Sequence, residues 1–66
     1  MNIQLNGQPT LLNADATLAQ AVALIVHDTA GTAAAVNERV VPQTDWAQYT
    51  LHDGDSVEVL TAVQGG

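Results

Sequence analysis

The chain contains no cysteine, and its lysine and arginine residues together number one, Arg39. The absence of cysteine excludes disulfides, which support many small folds, and it excludes thiolate metal sites. A chain of 66 residues with 47% hydrophobic residues is long enough for one domain and too apolar for a disordered segment. The sequence therefore predicts a single domain, residues 1–66, around a small and purely hydrophobic core.

Positive charge is nearly absent as well, because seven acidic residues against one arginine give a formal net charge of -6. Proteins that bind nucleic acid or anionic membranes need basic residues to neutralise phosphates, so the charge argues against both classes. We expect partners with basic surfaces. No apolar run approaches the roughly 20 residues of a membrane span, and the polar start Met1–Gln4 is unlike a signal peptide. The expectation is a cytoplasmic protein.

Candidate catalytic or metal-binding residues are few. His27 and His52 have neither a nucleophile nor an orienting acid close in sequence. The segment Asp53-Gly54-Asp55 offers too few carboxylates for a cation site and is typical of a turn. We therefore expect no catalytic residue, no metal and no bound cofactor in this chain.

The first residues predict a β-hairpin. Apolar and polar residues alternate over residues 1–5, as in a strand with one buried face. Asn6-Gly7 favours a tight turn, because both residue types tolerate positive φ. A second strand is expected over residues 10–13, directly after Pro9.

A helix is predicted next. Asp15 and Thr17 can each cap its first turn through a side-chain oxygen. The apolar residues that follow recur at helical spacing, so one stripe of the helix should pack on a sheet. That stripe consists of Leu18, Ala21, Val22 and Ile25.

The second half predicts further strands. Residues 33–36 and 40–41 are short apolar runs joined by residues 37–39, and Pro42 ends the second run. Asp45 is a candidate cap for a single helical turn that carries Trp46, which should lie in the core or cover a sheet edge. Residues 56–62 form the last predicted strand. This order predicts an α+β fold of the β-grasp type, a mixed sheet of four to five strands packed on one main helix.

The chain ends on Val63-Gln64-Gly65-Gly66, directly after the last predicted strand. Glycine buries no side chain and loses much backbone entropy on ordering, so residues 63–66 are expected to form a flexible tail. Without a Cβ, Gly65 and Gly66 could pass through a narrow channel. Beside this tail, one face of the last strand is expected to dock a partner through Glu58, Leu60 and Ala62.

Several segments resemble the ubiquitin-like sulfur carrier proteins of the ThiS type. They are Met1–Gly7, Ala35-Val36-Asn37 with Val40-Val41-Pro42, Trp46-Ala47, and the closing block from Asp53 to Gly66. Two departures stand out: Glu38 and Gln43 occupy positions where many members carry glycine and arginine, respectively. Neither departure touches the terminal glycines.

The resemblance implies a sulfur-carrying role for Gly66 in thiamin thiazole biosynthesis. A ThiF-type adenylyltransferase would use ATP to convert the carboxylate of Gly66 to an acyl-adenylate. Sulfur from a cysteine desulfurase would displace AMP and leave a terminal thiocarboxylate, which thiazole synthase (ThiG) would consume. Gly65, Gln64 and Val63 would be recognised as the tail. In this reading the protein is a co-substrate and not an enzyme.

Two alternatives stay open at this point. The small subunit of molybdopterin synthase shares the fold and the double glycine, although its members are usually longer. A ubiquitin-like protein modifier would instead join Gly66 to lysines on target proteins. Because this chain has no lysine, it could not build lysine-linked chains on itself.

Overall fold

Five strands, one α-helix and one 3-10 helix make up the computed structural model, which describes residues 1–62. The prediction of a flexible tail over residues 63–66 lies outside the described residues. The elements, in chain order, are β1 Asn2–Leu5, β2 Gln8–Leu11, α1 Leu18–Ala23, β3 Thr32–Val36, β4 Arg39–Val41, the 3-10 helix Gln43–Gln48 and β5 Ser56–Thr61.

The first hairpin forms as predicted, with a shift in its second strand. Asn6 and Gly7 both have positive φ, 50° and 81°, which suits a two-residue turn. The prediction of a strand over residues 10–13 is wrong, because β2 begins at Gln8 and includes Pro9. Proline is tolerated there because β2 lies at the edge of the sheet, where one side of the strand has no partner.

Helix α1 begins at the predicted residue but ends early. Thr17 is the N-cap: its side chain accepts a hydrogen bond from the Gln20 amide, and the Gln20 side chain accepts one from the Thr17 amide. Asp15 is therefore not the cap. Ile25, predicted on the buried stripe, is 43% exposed, because the helix ends at Ala23 and the chain tightens into a turn. Val26 packs against the core instead.

The second hairpin has a shorter connection than predicted. Asn37 and Glu38, with φ of 51° and 70°, form a two-residue turn between β3 and β4. Arg39, assigned to the connection from the sequence, is the first residue of β4 and pairs with Val36. Positive φ at both central residues matches the twist of the flanking strands, which explains why two residues suffice.

The segment after Pro42 forms a 3-10 helix longer than the single turn predicted. Pro42 stands at its N-cap position, and no side chain caps it, so the prediction that Asp45 is the cap is wrong. Trp46 is buried, as predicted, and its Nε1–H donates to the Val41 carbonyl at 2.8 Å. This bond ties the 3-10 helix to the edge strand β4.

The sheet is mixed, in the order β2-β1-β5-β3-β4, with β1 and β5 parallel and the other pairs antiparallel. Helix α1 covers one face of this sheet, and the other face is open to solvent. The result confirms the predicted α+β, β-grasp fold with five strands. The largest fully buried side chains of the core are Ile3, Leu18, Val22, Val36, Leu51 and Val57.

Candidate functional site

Strand β5, the last element of the described chain, is the central strand of the sheet. It pairs with β1 on one side and with β3 on the other. Beyond its last residue, Thr61, the Ala62 amide donates to the Gly31 carbonyl at 2.8 Å. The chain is therefore held to the β3 side up to the point where the description ends, and Val63, Gln64, Gly65 and Gly66 lie outside it.

The side chains of β5 divide between the two faces as predicted. Val57 and Val59 are buried under the helix, whereas Glu58, Leu60 and Ala62 are exposed. Leu60 is 66% exposed, an unusual position for a leucine at the centre of a sheet. Its exposure fits the prediction that this face contacts a partner, a prediction that the structure leaves untested.

The structure adds three residues to this face that sequence reasoning missed. Register places Ala33 opposite Leu60, and it places Ala35 opposite both Glu58 and Val40. The alanines are short, so a shallow groove runs between Leu60 and Val40, which is 76% exposed. Strand alternation within residues 33–36 was the available signal, but the pairing of three strands was needed to bring these side chains together.

The charged side chains that line this groove are acidic. Glu38 and Glu58 both border it. Arg39 pairs with buried Val36, so alternation turns it away from the groove face to which Val40 belongs. An apolar floor with acidic borders favours a partner surface that combines aliphatic and basic side chains.

Four further residues are catalytic or metal-binding candidates from the sequence: His27, His52, Asp53 and Asp55. Asp53 Oδ1 accepts from the Asn2 amide at 2.7 Å, and Asp55 Oδ2 accepts from the His52 amide at 2.8 Å, so this segment is a turn. His27 and His52 are exposed. Within residues 1–62, no three side chains of the metal-binding types lie close enough to hold an ion.

Among the described residues, no helix has both the length and the apolar character needed to cross a bilayer.

A five-stranded mixed sheet on one short helix, with the last described strand at its centre, defines a β-grasp protein of the ubiquitin-like type. The chain belongs to the ThiS family, whose family model matches residues 3–66. This match includes the four terminal residues.

Individual relatives agree with the family match over the full chain. The sulfur carrier protein ThiS of Escherichia coli (strain K12) is 32% identical over 66 residues, covering 100% of both chains. The crystal structure of the thiamine biosynthesis protein ThiS from Geobacter metallireducens superposes with a TM-score of 0.80 at 28% identity, covering 100% of both chains. An NMR solution structure of a thiamine biosynthesis protein from the same organism superposes with a TM-score of 0.75 at 28% identity. This match covers 100% of this chain and 88% of the other.

Proposed function

We propose that the protein carries sulfur as a thiocarboxylate on Gly66 and delivers it to the enzyme that builds the thiazole ring of thiamine. As a member of the ThiS family, the protein is a sulfur carrier in thiamine biosynthesis. The observation that carries the finer proposal is the family match, which covers residues 3–66 and so includes Gly66. The exit of the chain from the central strand supports it.

The proposed cycle begins with activation of the carboxylate. A ThiF-type adenylyltransferase joins the Gly66 carboxylate to the AMP part of ATP and releases pyrophosphate, which turns a poor electrophile into a good one. The terminal persulfide sulfur of a cysteine desulfurase attacks the carbonyl carbon and expels AMP. A thiol then reduces the resulting acyl disulfide, and the thiocarboxylate is left on Gly66 for thiazole synthase.

The chain itself acts in this cycle as a substrate. ATP and the persulfide belong to partner enzymes, and the carrier supplies a carboxylate and a surface by which each partner recognises it. Extended backbone covers at most about 3.3 to 3.6 Å per residue, so residues 63–66 can span roughly 13 Å. A partner can therefore keep its reacting groups in a closed site while the folded domain stays outside.

The groove beside the chain end is the proposed docking surface. Leu60, Val40 and Ala62 supply apolar area, and Glu38 and Glu58 supply negative charge at its borders. We expect the adenylyltransferase to place aliphatic side chains in the groove and basic side chains beside it. Such a contact area is small, which suits a carrier that must be released after each step.

Intact-protein mass spectrometry tests the cycle. After incubation with the adenylyltransferase, ATP and a sulfur donor, the mass should rise by the difference between sulfur and oxygen. A variant that lacks Gly66 should fold normally and gain nothing. An unchanged wild-type mass, under conditions in which the Escherichia coli relative gains sulfur, would show that the proposal is wrong.

Leu60→Ser tests the docking surface, with Leu11→Ser as its matched control. Leu11 is 75% exposed and pairs with Asn2 at the far edge of the same sheet. Loss of a central apolar contact commonly costs 1 to 2 kcal/mol of binding, so we expect KM of the adenylyltransferase for Leu60→Ser to rise about tenfold. The Leu11→Ser variant should keep the wild-type KM. Equal KM values for the two variants would contradict the assignment of the groove beside Leu60 as the docking surface.

A pull-down distinguishes the acceptor. The thiocarboxylated protein should retain thiazole synthase and should not retain the large subunit of molybdopterin synthase. The reverse result would place the carrier in the molybdopterin pathway.

A further inference from the structure

The side chain of Asn6 forms a pair of hydrogen bonds with the backbone of β5. Its Oδ1 accepts from the Val59 amide at 2.7 Å, and its Nδ2 donates to the Val59 carbonyl at 3.2 Å. An amide side chain has the same donor and acceptor as a peptide group, so Asn6 takes the place of one residue of a neighbouring strand. Strand β1 itself ends at Leu5.

This contact lies close to the point where the chain leaves the sheet. The parallel pairing of β1 with β5 covers Gln4 with Ser56 and Leu5 with Val57, and the side-chain amide of Asn6 adds Val59. Beyond Val59, the described hydrogen bonds of β5 run to the other side, as from Ala62 to Gly31. Asn6 is therefore what extends two-sided support of β5 towards the C-terminal end.

A second asparagine also accepts a hydrogen bond from a β5 amide, at the opposite end of the strand. Asn37 also opens a two-residue turn with positive φ, and its Oδ1 accepts from the Ser56 amide at 3.0 Å while its Nδ2 donates to Asp55 Oδ1 at 3.0 Å. The two asparagines thus fix the two ends of one strand from two different turns. Asn6 holds β5 near its C-terminal end, at Val59, and Asn37 holds its first residue, Ser56.

We infer that Asn6 is a positioning residue for the delivery of the chain end to the activating enzyme, an inference that rests on the proposed function. Its side-chain amide holds Val59 on the β1 side, beyond the last residue of β1, so the end of β5 that carries Leu60 is held from both sides. Without the side-chain amide, this end of β5 is held from the β3 side alone, and its position varies more from molecule to molecule.

This role predicts a separation of kinetic effects. If only a fraction of molecules holds the end of β5 in the position that the enzyme binds, the apparent dissociation constant rises by the inverse of that fraction. Once bound, the carboxylate sits in the same site, so kcat for adenylation should not change. A purely structural role leaves both constants unchanged as long as the protein stays folded.

The test compares Asn6→Gly with Asn37→Gly in the adenylation reaction, followed by pyrophosphate release. Glycine keeps the positive φ that each turn requires and removes only the side-chain bonds. We expect the KM for the Asn6→Gly carrier to rise about fivefold at unchanged kcat, as for a competent fraction of about one fifth. The Asn37→Gly variant should match the wild type, and circular dichroism should show both variants folded.

Hydrogen exchange gives a second measurement. The Val59 amide should exchange faster in Asn6→Gly than in Asn37→Gly, while the Val57 amide should keep its protection in both. If Asn6→Gly does not fold, Asn6→Asp takes its place, because it tolerates positive φ and keeps an acceptor for the Val59 amide. In this variant a carboxylate oxygen faces the Val59 carbonyl in place of the Nδ2 donor, so KM should again rise at unchanged kcat.

The possible results are distinct. A wild-type KM for the Asn6 variants, or an equal rise in the Asn37 variant, overturns the inference while wild-type sulfur transfer still supports the proposed function. If the wild-type protein itself acquires no sulfur, the proposed function is wrong and the inference falls with it.

Discussion

At the scale of single residues, Glu38 occupies a backbone conformation that its side chain disfavours. Its φ of 70° lies in the left-handed region, which costs an L-residue with a Cβ roughly 1 to 2 kcal/mol. Among residues 1–62, the two other non-glycine residues with positive φ are Asn6 and Asn37, and asparagine tolerates this conformation better. Glu38 is thus a residue whose backbone cost must be offset elsewhere in the fold.

We predict that Glu38→Gly stabilises the protein by about 0.5 kcal/mol. The substitution removes the strain, and the greater freedom of glycine in the unfolded chain offsets about 0.4 to 1 kcal/mol of the gain. Urea denaturation measures the difference. Glu38→Gln, which removes the charge and keeps the strain, should stay near the wild type, and a loss of stability in Glu38→Gly would contradict the argument.

Thr32 presents a different kind of local cost. Its Oγ1 is buried and has no hydrogen-bond partner among the described residues. We predict that Thr32→Val, which replaces the hydroxyl with a methyl group of similar size, stabilises the fold by about 1 kcal/mol. Thr61→Val is the matched control, since Thr61 pairs with Thr32 but is exposed. Equal shifts of the urea midpoint in both variants would exclude burial as the cause.

At the scale of elements, the 3-10 helix depends on Trp46. Six residues in this geometry have weak internal hydrogen bonding, and the segment is held by the buried indole and its bond to the Val41 carbonyl. We predict that Trp46→Phe lowers the free energy of unfolding by about 2 kcal/mol, from the lost hydrogen bond and the lost volume.

The measurement should use circular dichroism, because Trp46 is the only tryptophan of the chain. Tyr49→Phe is the control, since it removes a hydroxyl from the residue that follows the same helix. Tyr49 is half-buried against the core, but the ring stays in this variant and only the hydroxyl is lost, so the cost should stay within about 0.5 kcal/mol. A cost for Trp46→Phe no greater than for the control would show that the indole does not anchor the segment.

Element types were predictable from the sequence, whereas several boundaries were not. Asn6-Gly7 predicts its turn because the preference for positive φ is local, and Thr17 predicts the helix start for a similar reason. Whether a strand can include Pro9 depends on whether that strand lies at a sheet edge, and the sequence does not show the order of the strands in the sheet. Ile25 has the right spacing for the buried stripe, but the helix ends at Ala23, two residues before it, so Ile25 is not held on that stripe.

At the scale of the whole molecule, the net charge of -6 is expected to attract partners with basic surfaces. We predict that KM of the adenylyltransferase for the carrier rises when salt increases from about 0.1 to about 1 M, as the Debye length falls from about 10 to about 3 Å. The value of kcat should change little. Glu58→Gln should show a shallower salt dependence, and a KM independent of salt in the wild type would exclude electrostatic steering.

The fold and part of the site were predictable at this scale. The order of elements gives the β-grasp arrangement, and alternation along residues 56–62 places Glu58, Leu60 and Ala62 on the open face. The rest of the groove depends on register between strands distant in sequence, which brings Ala33, Ala35 and Val40 beside them. The contact of Asn6 with Val59 spans 53 positions and has no local signal.

The most direct test of the account is to locate the sulfur atom within the chain. After complete reaction with the adenylyltransferase, ATP and the sulfur donor, fragmentation of the intact protein should assign the added mass to Gly66 alone. Fragments that end before Gly66 should keep their unmodified masses. Sulfur found on any other residue, or a chain that ends in the acyl-adenylate and accepts no sulfur, would contradict the proposal that Gly66 carries sulfur as a thiocarboxylate.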